Sequence, residues 1–158
     1  MPVDASRSLG ANPFAIRLVD WSEATDGLRH VRRVVFIDEQ SIPEDMEWDE
    51  YDAVSRHAIA EDTGGMAIGC GRLLPDGTIG RLAVVSAWRG REVGSALLQS
   101  LIELARACGH RQVRLNSQTQ AMPFYGRHGF VAYGDEYMEA GIPHQSMSRN
   151  IQEASAQV

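Results

Sequence analysis

Ile79-Gly-Arg-Leu-Ala-Val-Val-Ser-Ala-Trp-Arg-Gly-Arg-Glu-Val-Gly-Ser-Ala-Leu-Leu98 is the stretch on which the fold turns. An apolar strand runs into a short turn rich in Arg and Gly, and a long amphipathic helix follows at once. Val93, Leu97, Leu101, Leu104 and Cys108 recur at helical spacing, so a helix is predicted from about Arg91 to Cys108, with Gly109 as its stop. The first N–H groups of such a helix have no carbonyl partners. Together with the helix dipole, Arg89 and Arg91, they make an anion site whose usual guest is phosphate.

Outward from this stretch the pattern is mixed. Phe14 to Val19 alternates weakly and reads as a first strand. Glu23 to Ile37 reads as a helix with Leu28, Val31 and Val35 on one face and Ser22 as N-cap. Asp38 to Ala53 is acidic and carries Pro43, so a loop or short irregular helix is expected. Val54 to Glu61 and Met66 to Leu74 read as paired strands. Pro75-Asp76-Gly77 is a turn, and Thr78 to Val85 a strand antiparallel to its predecessor. Gln112 to Asn116 reads as a strand, Thr119 to His128 as a short helix, and Phe130 to Tyr137 and Gln145 to Ile151 as final strands. This order predicts an α/β (α+β) sheet with helices on its faces.

A length of 158 residues suits one domain with a full core, and 44% apolar with 23% charged residues is ordinary for a globular protein. The domain is expected over residues 13–151, with loose tails at 1–12 and 152–158. No run approaches the roughly 20 apolar residues that span a bilayer, and Met1 to Asn12 lacks the regions of a signal peptide. Cys70 and Cys108 lack motif spacing and read as small buried hydrophobes in a reducing cytosol, which makes a cytoplasmic location the expectation. No metal site is read. The net charge of −6 argues against nucleic acid as a partner and is compatible with an amine substrate.

Arg89-Gly-Arg-Glu-Val-Gly94, followed by Ser95-Ala-Leu-Leu98, resembles the acyl-CoA signature of the GNAT acetyltransferases, Arg/Gln-x-x-Gly-x-Gly/Ala. Aligned through the helix, Glu92 takes the central glycine position, a departure from the pattern. A frame shifted to Arg91 satisfies it literally but displaces Trp88-Arg89-Gly90 and Ala96-Leu97-Leu98. Ala121 to Phe130 is similar to the family's Phe-Tyr-x-x-x-Gly-Phe element, and Arg81-Leu-Ala-Val84 to the strand before the phosphate turn. Val34 to Gln40 and Gly141-Ile-Pro-His-x-x-Met147 resemble the ElaA/YjcF-type branch. The resemblance runs from Phe14 to Asn150.

What it implies is a mostly antiparallel central sheet with splayed central strands, and acetyl transfer from acetyl-CoA to a primary amine of a small molecule, by direct attack through a tetrahedral intermediate. The backbone of Leu82, Ala83 and Val84 would hold the pantetheine amides, with an N–H near Val84 facing the oxyanion. The turn Arg89, Gly90, Arg91, Glu92, Val93, Gly94 and Ser95 would hold the diphosphate. Asn116, Gln118 and Phe124 would complete the cofactor site, and Tyr125 would stand beside the sulfur as general acid. A homodimer is a further expectation of the resemblance.

The base is open among Glu39, Asp49 and His57. Glu39, Glu47, Asp49 and Asp52 cluster, and neighbouring carboxylates raise one another's pKa. Such a run is equally a solvated face, and His57 equally a satisfied core residue; His144 shares that ambiguity. Arg72, Arg81 and Gln118 bind substrate or pair with the acidic loop. Two rival functions remain. Arg33-Val-Val-Phe36 and Glu47-x-Asp49-x-x-Asp52 resemble acyl-homoserine-lactone synthases of the same fold, and a non-catalytic CoA-binding module would carry the same phosphate turn.

Overall fold

Period-two alternation decides which strand residues face which helix. In the computed structural model, which describes residues 13 to 152, β1 (Phe14–Asp20), β2 (Arg56–Asp62), β3 (Ala67–Leu73) and β4 (Ile79–Val84) form an antiparallel sheet in that order. On β2, Ala58 and Ala60 join one apolar cluster and Ile59 joins the other. The Ile59 cluster is covered by α1 (Thr25–Arg32) through Leu28 and Val31. Between α1 and β2 lie a π-helical stretch (Arg33–Glu39), α2 (Glu44–Glu47) and a 3-10 turn (Glu50–Val54). The Ala58 cluster is covered by α3 (Val93–Ala107), which buries Val93, Leu97, Leu98, Leu101, Ile102 and Ala105. Both helices sit close because glycines stand at the contacts, Gly71 on β3 beneath α3 and Gly27 in α1 itself. A Cβ on Gly71 would stand 2.7 Å from Leu101 Cδ1, and one on Gly27 2.9 Å from Ile59 Cδ1.

The second sheet has the order β5-β7-β6, from β5 (Gln112–Gln118), β6 (Val131–Glu139) and β7 (Ile142–Asn150). The short helix α4 (Met122–Arg127) sits between β5 and β6. Among the described residues the two sheets share one bridge, the parallel pair Thr78 and Arg114. From there β4 and β5 run in the same direction without pairing, so the sheet opens as a V toward Val84 and Gln118. This is the expected mixed, mostly antiparallel α+β architecture with splayed central strands. A bulge sharpens the opening: the β3–β4 register shifts between Cys70 and Arg72, opposite Arg81 at φ 51°.

Several local expectations are corrected. The helix read from Glu23 to Ile37 is a 3-10 turn at Trp21–Glu23, then α1, then the π stretch. Ser22 is no N-cap: it lies inside the 3-10 turn, where the Asp20 N–H donates to Glu23 Oε1 at 2.6 Å. The acidic segment is irregular and helical as expected: it contains α2 and the 3-10 turn, whose start is capped by Asp49 accepting from the Tyr51 N–H at 3.0 Å. Val54 belongs to that turn, so β2 begins at Arg56. Cys70 is buried as expected, but Cys108 is exposed: the buried face of α3 ends at Ala105, and the chain turns away at Gly109, φ 91°. The expected tails fall outside the described residues, apart from Gln152, whose N–H donates to Asn150 Oδ1.

Candidate active site

The V between β4 and β5 is a cleft of about 460 Å³, with Arg81 to Val84 on one wall and Leu115 to Gln118 on the other. Val35, Phe36 and Glu39 of the π stretch border it with Gln40 just after them, as does Tyr125 of α4. The wider π turn is a local break in helix register that a single sequence does not signal.

At the mouth, α3 starts without satisfying its first amides. Its first helical bond runs from the Ala96 N–H to the Glu92 carbonyl at 3.0 Å. Among the described residues, no backbone N–H from Gly90 to Ser95 donates a hydrogen bond within the protein. Gly90 has φ 76°, and Glu92 has φ 69° and ψ 11°, left-handed backbone that glycine adopts most easily. The backbone thus puts Glu92 where the pattern expects glycine and supports the frame that starts at Arg89. Val93 is buried and anchors the turn, and a Cβ on Gly94 would meet the Phe124 ring at 3.5 Å. Ser95 Oγ lies 3.0 Å from His128 Nε2, and the Arg91 guanidinium stacks 5.2 Å from the Trp88 ring. Arg89 is engaged. Its Nε donates to the Val84 carbonyl at 2.8 Å, and its two Nη groups donate to the Glu39 carboxylate at 2.7 Å each. The Arg89 hydrogen bonds hold the Glu39 carboxyl below its ordinary value.

Ala83 on β4 pairs with Cys70, and just past the strand the Val85 N–H donates to the Ile68 carbonyl. Hydrogen-bonded and open positions alternate in an antiparallel pair, so the Val84 N–H turns toward the cleft. Across the V, Asn116 Oδ1 accepts from Ser146 Oγ at 2.8 Å. Gln118 Nε2 donates to Gln40 Oε1 at 2.8 Å, and Gln120 Nε2 to Gln118 Oε1 at 3.0 Å. The end of the π stretch therefore touches both arms of the V, through Glu39 and Gln40. Sequence reasoning gave Gln40 no role in the site, although it closes the Val34 to Gln40 run that resembles one branch of the family.

Tyr125 packs edge-on against Phe124 and Phe130. Burial pushes its phenol up to about 12, and its hydroxyl has no hydrogen-bond partner among the described residues. It keeps its proton at neutral pH.

The clustered carboxylates do not face one another, because arginines separate them. Arg32, 1% exposed, donates to Asp52 Oδ1 at 2.7 Å and Glu47 Oε2 at 2.9 Å, between the rings of Trp21 and Trp48. Arg72 Nη1 donates to Asp49 at 2.8 Å and to Asp52 at 3.0 Å; Arg81 Nη2 donates to the Glu47 carbonyl and to Asp49. Burial works against the charge of Asp52, but the bonds from Arg32 and Arg72 prevail and hold it below its usual value. At Glu47 burial prevails over the arginines and raises the carboxyl. Asp49 and His57 do not line the cleft; Glu39 does. His57 is 1% exposed, its Nε2 2.9 Å from the Asp52 carbonyl, and burial pushes its imidazole down.

His144 lies on the cleft wall. Its Nδ1 is 2.7 Å from the Ile142 carbonyl, which can only accept, so Nδ1 carries the hydrogen and the neutral ring keeps a lone pair on Nε2. The structure thus separates two histidines that the sequence left equivalent.

Residues 25–151 match the sequence model of the acetyltransferase (GNAT) domain. The chain is similar to the uncharacterized N-acetyltransferase YjcF of Bacillus subtilis, 36% identical over 77% of this chain and 89% of that one. It is 31% identical to protein ElaA of Escherichia coli over 80% of this chain and 88% of ElaA, and the crystal structure of ElaA superposes with a TM-score of 0.76, covering 86% of this chain and 99% of that one. An acyl-CoA N-acyltransferase from Pseudomonas aeruginosa, 30% identical, superposes with a TM-score of 0.77 over 86% of this chain and 99% of that one.

Proposed function

From the premise that this chain belongs to the GNAT acetyltransferases, a family of acyltransferase enzymes that take an acyl-CoA co-substrate, we propose that it moves an acetyl group from acetyl-CoA to a primary amine of a small molecule. The observation that carries this reading is the run of unengaged amides from Gly90 to Ser95, beside a sheet that opens at Val84. Oriented amides at a helix start hold a diphosphate. The unpaired edge of β4 holds the amides of the pantetheine arm, which lays the thioester along Leu82 to Val84. Glu39 gives up Arg89 to the diphosphate as the cofactor enters.

The amine nitrogen bonds to the thioester carbon, and the Val84 N–H faces the oxygen that gains charge. His144 Nε2 takes the proton of the attacking amine. The carbon–sulfur bond then breaks, and sulfur leaves as a thiolate hydrogen-bonded to the Tyr125 hydroxyl. A phenol held near 12 stabilises that thiolate by donating rather than by giving its proton away.

The test is calorimetry with acetyl-CoA, joined to an assay of CoA release over primary amines. Wild type is expected to bind. The double substitution Arg89→Ala with Gly94→Trp abolishes binding, because the indole would enter the space beside Phe124. Unchanged affinity would place the diphosphate elsewhere. Tyr125→Phe is expected to lower kcat about 10- to 100-fold with little change in CoA affinity. Binding without turnover of any amine would identify a CoA-binding module instead.

A further inference from the structure

Arg72 is 5% exposed and stands on the cleft wall. Its Nη1 is used twice, on Asp49 and Asp52. Its Nε is buried and has no hydrogen-bond partner among the described residues, and none binds its Nη2. Nε and Nη2 form one side of the guanidinium plane. That side grips a carboxylate with two parallel bonds, as Arg17 grips Glu61 at 2.8 and 3.1 Å. A buried guanidinium edge with no acceptor costs free energy. Arg81 Nε is likewise buried without a hydrogen bond, but it has the Glu47 carboxylate 3.0 Å away, whereas Arg32 next door spends Nε, Nη1 and Nη2 together.

The surrounding acids do not supply the missing acceptor. Asp49 and Asp52 bind the far side of Arg72, and Glu47 lies on Arg32 and 3.0 Å from Arg81 Nε. Arg81 is swung to this wall by its left-handed backbone, and its Nη1 has no hydrogen bond among the described residues. Three arginines and three carboxylates balance here, so the shortfall is one of hydrogen-bond acceptors and not of charge. The position also fits a substrate. The phosphate turn lies beyond Val84, and Arg72 and Arg81 lie at the other end of β4, past the place of the thioester.

We propose that the acceptor carries a carboxylate as well as its amine, and that the unpartnered Nε–Nη2 edge of Arg72, flanked by Arg81, binds it. This rests on the reading of the cleft as a site of acetyl transfer to an amine. The carboxylate fixes the acceptor at one end and leaves its amine directed to the thioester and His144. Amines lacking an anionic group leave the Arg72 edge unpaired and are poor acceptors for that reason.

The experiment uses the full chain saturated with CoA. N-acetylglycine, N-acetyl-β-alanine and N-acetyl-γ-aminobutyrate are titrated beside their primary amides, and binding is read by calorimetry. At least one acid is expected to bind about 10- to 100-fold tighter than its amide. Arg72→Lys keeps the charge toward Asp49 and Asp52 but lacks the two-donor edge, and is expected to erase that preference while its thermal melt shows a folded protein. Arg72→Gln is expected to do the same. Equal binding of acid and amide, no binding of any acid, or a preference that survives in Arg72→Lys would overturn the proposal. Acetyl-CoA binding and CoA release with carboxylate-free amines are measured alongside. Turnover of those amines as fast as of their carboxylated counterparts sinks the carboxylate site and leaves acetyl transfer standing. Failure to bind acetyl-CoA takes both down.

Discussion

Glu92 holds a backbone conformation that costs an L-residue roughly 1–2 kcal/mol, and it does so where a diphosphate is proposed to sit. Its side chain is exposed, so neither packing nor a partner offsets the strain. Glu92→Gly should therefore raise stability by about 1 kcal/mol in denaturant melts and tighten acetyl-CoA binding about 3- to 10-fold, by removing a like charge. A gain in stability with no gain in affinity would mean that the diphosphate does not approach this turn. Glu39 would oppose the proposed diphosphate differently, since it occupies Arg89 with two 2.7 Å bonds. That contact joins positions 50 apart, and the Gln40–Gln118 bond joins positions 78 apart. Neither leaves a mark on local sequence, whereas the glycine-like place of Glu92 was legible from the motif frame alone.

α3 and the β3 strand beneath it fit because Gly71 has no side chain. A methyl there would stand 2.7 Å from Leu101 Cδ1 and 3.0 Å from Leu82 Cδ1, so both leucine side chains must shift to admit it. Gly71→Ala is expected to cost about 1–3 kcal/mol by overpacking. Leu101→Val removes part of the clash, so the double variant should be destabilised by less than the sum of the two single changes in a double-mutant cycle. Additive costs would show that the helix shifts bodily instead. The helix itself was readable from its apolar period. Its end was readable to within a residue, but Cys108 continues the apolar spacing past Ala105, the last residue that the helix buries. The π stretch was read as ordinary helix, because one extra residue per turn leaves the apolar pattern of Leu28, Val31 and Val35 intact.

The buried ionic cluster ties α1, the acidic segment, β3 and β4 into one body, and His57 lies against it with its ring 5.3 Å from Trp21. Burial is the main cause that lowers the His57 pKa, and the charges of Arg32 and Arg72 add to it. The folded protein thus gives up this proton at lower pH than the unfolded chain, whose histidine titrates near 6.5. Below that value the unfolded state binds more protons, so this contribution to stability is present above pH 6.5 and is lost as pH falls through it. Denaturant melts at pH 5.5 and 7.5 should show wild type losing more stability at the lower pH than His57→Gln does. Parallel losses would refute the assignment.

Residues near one another in sequence determined much of this protein unaided. Hairpin turns, the apolar period of α3 and the strand–turn–helix with its open amides follow from local backbone geometry and from which side chains leave water. Folding in three dimensions decided the rest. It chose which histidine meets the cleft, which carboxylates are held by arginines, and which guanidinium edge is left without an acceptor. Hydrogen bonds and desolvation act over a few ångströms between groups tens of positions apart in the chain, and only the closed fold sets those distances.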